Sequence, residues 1–124
     1  MAEFTSNPVG KDVPRVDAYE KITGAATFVD DMQFGPGLYY GRLVRSPHAH
    51  ALIKKVDVSK ALEVPGVKAV VTGEDVPARI GLYLIDRPVF ATDRVRVVGD
   101  PVAGVIATSE EIAEEAAQLV VVEY

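Results

Sequence analysis

Residues 95–124 leave the chain few ways to fold. From Pro101 to Ala107 every side chain is apolar or absent, and Gly99-Asp100-Pro101 marks the start of the run. A run this short is no stable lone helix; it suits a strand buried on both faces. Thr108 with Glu111 has the spacing of a capping box, and Glu110 and Glu111 sit where a helix dipole favours negative charge. Ile112, Ala113, Ala116 and Leu119 fall on one helical face, with Glu110, Glu114, Glu115 and Gln118 on the other. Leu119 to Val122 is a second apolar run, long enough only for a strand. The stretch therefore reads strand, amphipathic helix, strand, with Gly99 to Val105 forming the central strand. It carries no evident nucleophile, base or metal ligand.

The remainder is organised around that unit. Residues 1–14 are expected to be an extended lead-in, and 15–124 one domain. Asp17 is placed to cap a short helix through Ala18–Ile22, stopped by Gly24. A short strand is expected at 25–29, then a long turn through Asp30-Asp31 and Gly35-Pro36-Gly37. Leu38 to Arg45 reads as a strand in which Gly41 marks a bulge or a close backbone approach. Ser46-Pro47 breaks it. Ala51 to Val58 reads as a further strand, but Leu52, Ile53 and Val56 do not alternate, which a bulge would reconcile. Ser59–Leu62 makes one helical turn closed by Pro65-Gly66, and Val67–Thr72 an apolar strand. Gly73 to Pro77 is a turn with a 3₁₀ piece. Gly81-Leu82-Tyr83-Leu84-Ile85 is a strand or a loop lying on the core, and Pro88 to Ala91 an edge strand. Helices alternate too rarely with strands for a doubly wound sheet. The class is α+β, a mixed, mostly antiparallel sheet with a few short helices and one amphipathic helix near the C-terminus.

Composition serves mainly to exclude. The 124 residues suffice for one domain with a core. A formal net charge of −5, with no basic cluster longer than Lys54-Lys55, argues against nucleic acid and against an anionic membrane surface. The chain has no cysteine, hence no disulfide framework, thiolate zinc site or self-held iron–sulfur cluster. That fits a reducing cytoplasm. No apolar run approaches the ~20 residues of a membrane helix.

The motifs that carry chemistry elsewhere do little here. His48 and His50 have a spacing that, on a strand, points two imidazoles to one face. Without a third ligand near by they are read as strand-end hydrogen-bonding residues, and no metal is assigned. Gly35-Pro36-Gly37 with Gly41 is the wrong length for a dinucleotide loop and precedes a strand, not a helix. Gly99 is expected to supply a positive φ, with Pro101 starting a strand where no donor is needed. The glutamates of 110–115 are a solvated helix face. Tyr19, Phe28, Tyr39, Tyr40, Tyr83 and Phe90 belong to the core or, if exposed on one side, to a partner surface.

Taken in order, several runs resemble one family. They are Arg15-x-Asp17-Ala18-x-x-Lys21-Ile22-Thr23-Gly24; Arg45-Ser46-Pro47-His48-Ala49-His50-Ala51-x-Ile53; Val56-Asp57-Val58-Ser59; Val64-Pro65-Gly66-Val67; Gly73-x-Asp75-Val76-Pro77; Val97-x-Gly99-Asp100-Pro101-Val102-Ala103; and Val121-Val122-Glu123-Tyr124. Together they are similar to the N-terminal α/β-hammerhead domain of the large subunit of the xanthine dehydrogenase and aldehyde oxidase family. The resemblance spans residues 9–124. It implies a parent subunit that binds molybdopterin and hydroxylates carbonyls or heteroaromatic rings, passing electrons to iron–sulfur and flavin (FAD) centres on partner domains or subunits. The family's molybdopterin contacts and catalytic Glu lie in later domains, so no catalytic, cofactor or metal residue is carried over, and the fragment alone is expected to be inactive.

The resulting expectation is a structural domain packing against the molybdopterin-binding domains. Arg15, Asp17, Arg45, His48, His50, Gly99 and Asp100 are its candidate inter-domain contacts, being polar or turn residues without an evident core role. The alternative is a free-standing adaptor domain with no redox role, which a reading frame ending at Tyr124 would favour. A small metal protein built on His48 and His50 is a third possibility.

Overall fold

A computed structural model describes residues 9–32 and 34–124. The chain forms two units, 1–36 and 37–124. Residues 1–8, most of the expected lead-in, lie outside the described residues.

In the first unit, helix α1 (Ala18–Thr23) begins where the sequence places it, but Asp17 does not cap it with a side-chain bond. Its carboxylate turns instead to Arg15, which donates from Nη2 at 3.1 Å, and to Lys21, whose Nζ lies 2.7 Å away. Gly24 ends the helix with φ +75°. The strand expected at 25–29 is absent. Val29–Asp31 is a 3₁₀ turn, closed by the Phe28 N–H donating to Asp31 Oδ2 at 2.9 Å. A carboxylate three residues on satisfies the backbone locally and removes the need for a neighbouring strand.

In the second unit, β1 (Tyr40–Arg45) and β4 (Val67–Thr72) flank β8 (Pro101–Ala107) in an antiparallel three-stranded sheet, order β1-β8-β4. The apolar run is thus the central strand, beginning at Pro101 rather than Gly99. Every paired strand in the described residues runs antiparallel. The register shifts between Val44, opposite Ala103, and Arg45, opposite Pro101, so that Val102 of β8 is the extra residue, whereas Gly41 stays in register with Ile106.

One face of the sheet is closed by α3 (Glu110–Gln118) and the single turn α2 (Ser59–Leu62). Ala103 and Val105 meet Ala61, Ala116 and Val120 there, with Val44, Val67 and Val70 around them. Small residues on both sides let helix and sheet approach closely. The cap of α3 is Ser109, one residue later than the Thr108 expected: its Oγ accepts from the Ile112 N–H at 3.3 Å. Both residues have the chemistry, but Thr108 is still tied to the sheet side, its N–H donating to Gly66 O at 3.0 Å.

The non-alternating stretch 51–58 is two strands, not one bulged strand. β2 (Ala51–Leu52) pairs with β7 (Arg94–Val95), and β3 (Lys55–Asp57) with β9 (Val121–Glu123). The partner changes between Ile53, whose N–H donates to Asp93 O, and Lys54, whose N–H donates to Glu123 O. β9 starts two residues later than the sequence places it. β5 (Arg79–Ile80) and β6 (Arg87–Pro88) form a small hairpin. Residues 73–77 turn without a 3₁₀ helix.

Candidate functional site

Four of the candidates, Arg45, His48, Gly99 and Asp100, converge at the corner where β1 leaves the sheet and β8 begins. The bulge sets Arg45 opposite Pro101, which has no N–H to offer. The ladder is completed around that gap. The Ser46 N–H donates to Asp100 O at 2.9 Å, and the Gly99 N–H donates to Ser46 O at 2.8 Å. Gly99 holds φ +89°, a backbone state that suits glycine. Arg45 folds back so that Nη1 donates to Gly99 O at 2.9 Å. Ser46 is 2% exposed, and its Oγ accepts from the His48 N–H at 3.1 Å.

Asp100 closes the preceding turn. Its Oδ2 accepts from the N–H groups of Arg96 at 2.7 Å and Val97 at 3.2 Å, while Oδ1 lies 3.4 Å from Arg87 Nη2. The Arg96 N–H, ahead of the other donors, holds this carboxyl below its ordinary range. The His48 ring stands edge-on to Tyr124, centroids 4.6 Å apart and planes at 71°. A cleft of about 440 Å³ opens beside the corner, lined by Asp86, Arg87, Ala91, Arg94, Arg96 and Asp100 among others.

Arg45, Gly99 and Asp100 are thus brought together, with His48 tied in through Ser46. Arg15 and Asp17 pair with each other in the first unit, where Arg15 is the main cause of the lowered Asp17 carboxyl. His50 lies exposed in a bend before β2, not on a strand, so the assumption that i and i+2 share a face does not apply to it. Among the described residues no group of three or more His, Asp or Glu side chains is placed to hold a metal ion. Ser46, Arg87 and Tyr124 belong to this corner and are not singled out by the sequence. Ser46 is within reach of sequence reasoning, since a Ser before Pro at a strand end commonly accepts a nearby backbone N–H.

Chemically the corner positions backbone. Its carboxylate is engaged by N–H donors, its one imidazole packs on an aromatic ring, and the Ser46 hydroxyl accepts the His48 N–H. A model of the aldehyde oxidase and xanthine dehydrogenase a/b hammerhead domain matches residues 23–124. The chain belongs to that family. This hammerhead domain is 47% identical over 112 residues to a probable xanthine dehydrogenase subunit of Bacillus subtilis, covering 89% of the chain and 15% of that relative. It is 36% identical over 118 residues to the nicotinate dehydrogenase large molybdopterin subunit of Eubacterium barkeri, covering 94% of the chain and 28% of that subunit. Its fold matches the Cu,Mo-CO dehydrogenase in its carbon monoxide reduced state with a TM-score of 0.85 and 37% identity, over 93% of the chain and 15% of that one. The hammerhead domain therefore spans only a minor part of the proteins it matches.

Proposed function

We propose that the chain is a non-catalytic structural domain of a molybdopterin-dependent oxidoreductase large subunit, packing against that subunit's molybdopterin-binding domains. The carrying observation is the β1–β8 corner. Within a family match running from residue 23 to 124, its polar groups are spent on holding two strands together rather than aimed at a substrate. Arg15, Asp17, Arg45, His48, His50, Gly99 and Asp100 are the proposed contacts with neighbouring domains, the exposed parts of those residues serving the packing.

The residues about the cleft do not suit molybdopterin. Arg87 faces Asp100, Arg94 and Arg96 share Asp93, and Asp86 also lines the cleft, so three arginines meet three carboxylates and an anionic pterin phosphate finds no surplus of positive charge. The cofactor then belongs to other domains of the parent subunit, with iron–sulfur and flavin groups on further domains or subunits, in the cytoplasm. No helix among the described residues is long and apolar enough to cross a membrane.

The test is to express the isolated chain in cells that make molybdopterin, alongside a hybrid in which it replaces the matching segment of the B. subtilis relative. The hybrid is expected to purify with molybdenum and the isolated chain without it. Molybdenum bound stoichiometrically to the isolated chain, or a hybrid without the metal, contradicts the proposal.

A further inference from the structure

The hairpin of β5 and β6 carries Gly81-Leu82-Tyr83-Leu84-Ile85 at its tip. The sequence suggests that this apolar run is a strand or lies on the core, and it does neither. Leu82 is 90% exposed, Tyr83 93%, and Leu84 and Ile85 each 72%. Apolar residues exposed singly need no explanation, but a contiguous patch of this kind on a small domain marks an interaction site.

The tip is also built, not slack. Arg79 Nη1 donates to Asp86 O at 2.8 Å across its base, and the Val89 N–H donates to Ala78 O at 3.4 Å below it. At Gly81 a Cβ would run into the Leu84 carbonyl, so the turn closes tightly only with glycine there. A loop stapled with its apolar side chains outward has already lost much of the freedom that binding would otherwise remove.

We propose that this tip is a knob that docks into an apolar pocket on the molybdopterin-binding remainder of the large subunit. The inference rests on the function proposed above and names the segment that does the docking. Three observations select this occupant. The B. subtilis relative and the CO dehydrogenase chain each match over only 15% of their length, so in both a far larger body of chain surrounds such a domain. The tip carries no charge from Gly81 to Ile85, while Arg79, Asp86 and Arg87 ring its base, the aromatic centre and polar rim of a protein interface. A chain of net charge −5 is a poor ligand for an anionic bilayer.

Chymotrypsin reads the tip directly, because it cuts after Leu and Tyr. In the isolated chain the first cuts are expected between Leu82 and Leu84. In the molybdenum-containing hybrid, cutting there should slow at least about a hundredfold, since it must await local opening. Equal cutting in a hybrid that holds molybdenum overturns the knob and leaves the structural role standing. A hybrid without molybdenum overturns that role and the knob with it. Protection in the isolated chain at twice its monomer mass assigns the tip to a second copy, and protection by phosphatidylglycerol vesicles assigns it to a membrane; either result overturns the proposal.

Discussion

Two glycines separate backbone strain from packing in the second unit. Gly66 and Gly99 both hold positive φ, +99° and +89°. At Gly99 an added Cβ meets nothing within 4 Å. At Gly66 it comes within 2.8 Å of Ile112 Cδ1 and Thr108 Oγ1, at the junction where α3 leaves the sheet. Gly99→Ala therefore bears only the left-handed backbone cost of about 1–2 kcal/mol, partly offset by the stiffer unfolded chain, for a net loss of about 1 kcal/mol. Gly66→Ala bears that cost plus overpacking. Ile112 can rotate its terminal methyl away, but Thr108 is held by its N–H bond to Gly66 O. About 2 kcal/mol more is expected, for a total of about 3 kcal/mol. In a domain of this size that separates the two midpoints by roughly 8 °C. Urea and thermal unfolding followed by circular dichroism measure both, with m-values checked for constancy. Equal losses for the two variants, or a Gly66→Ala loss below about 1 kcal/mol, would refute the close approach of the strand-to-helix junction.

Ser109→Ala should cost about 1 kcal/mol by removing the acceptor for the Ile112 N–H, while Thr108→Val at the neighbouring position leaves that cap intact; urea midpoints distinguish them. Val105→Ala removes a fully buried side chain from the middle of β8 and should cost about 2–3 kcal/mol, read as a lowered unfolding midpoint at unchanged m-value. Asp100 has a depressed folded-state carboxyl, so the unfolded chain binds its proton first and stability falls as pH drops below about 4. Asp100→Asn should make this acid limb shallower, which unfolding midpoints from pH 6 down to pH 2 will register.

Legibility in the sequence follows the range of the interactions. β8, α3 and β9 are readable because an apolar run, a cap and a helical stripe are local patterns, and the cap falls one residue from its expected place only because Thr108 and Ser109 can both do the job. The split at Ile53-Lys54 is not readable. It comes from a change of partner between Asp93 and Glu123, both distant along the chain. The expected strand at 25–29 fails because Asp31 satisfies the backbone locally. At the corner, Arg45, Gly99 and Asp100 stand out in the sequence for lacking a core role, yet each makes hydrogen bonds that hold β1 to β8 or close the turn before it. Leu82 to Ile85 misleads in the opposite sense: its composition signals burial, but nothing within residues 37–124 covers it.

A domain that supports a cofactor site without contributing to it should be dispensable for metal chemistry and indispensable for metal retention. The molybdenum-to-protein ratio of three forms of the B. subtilis relative tests this most directly: with its own segment, with this domain in its place, and with the segment deleted. The first two should hold metal equally and the third should lose it. Full molybdenum content after deletion would show that such a domain supports nothing, and would contradict the proposed role.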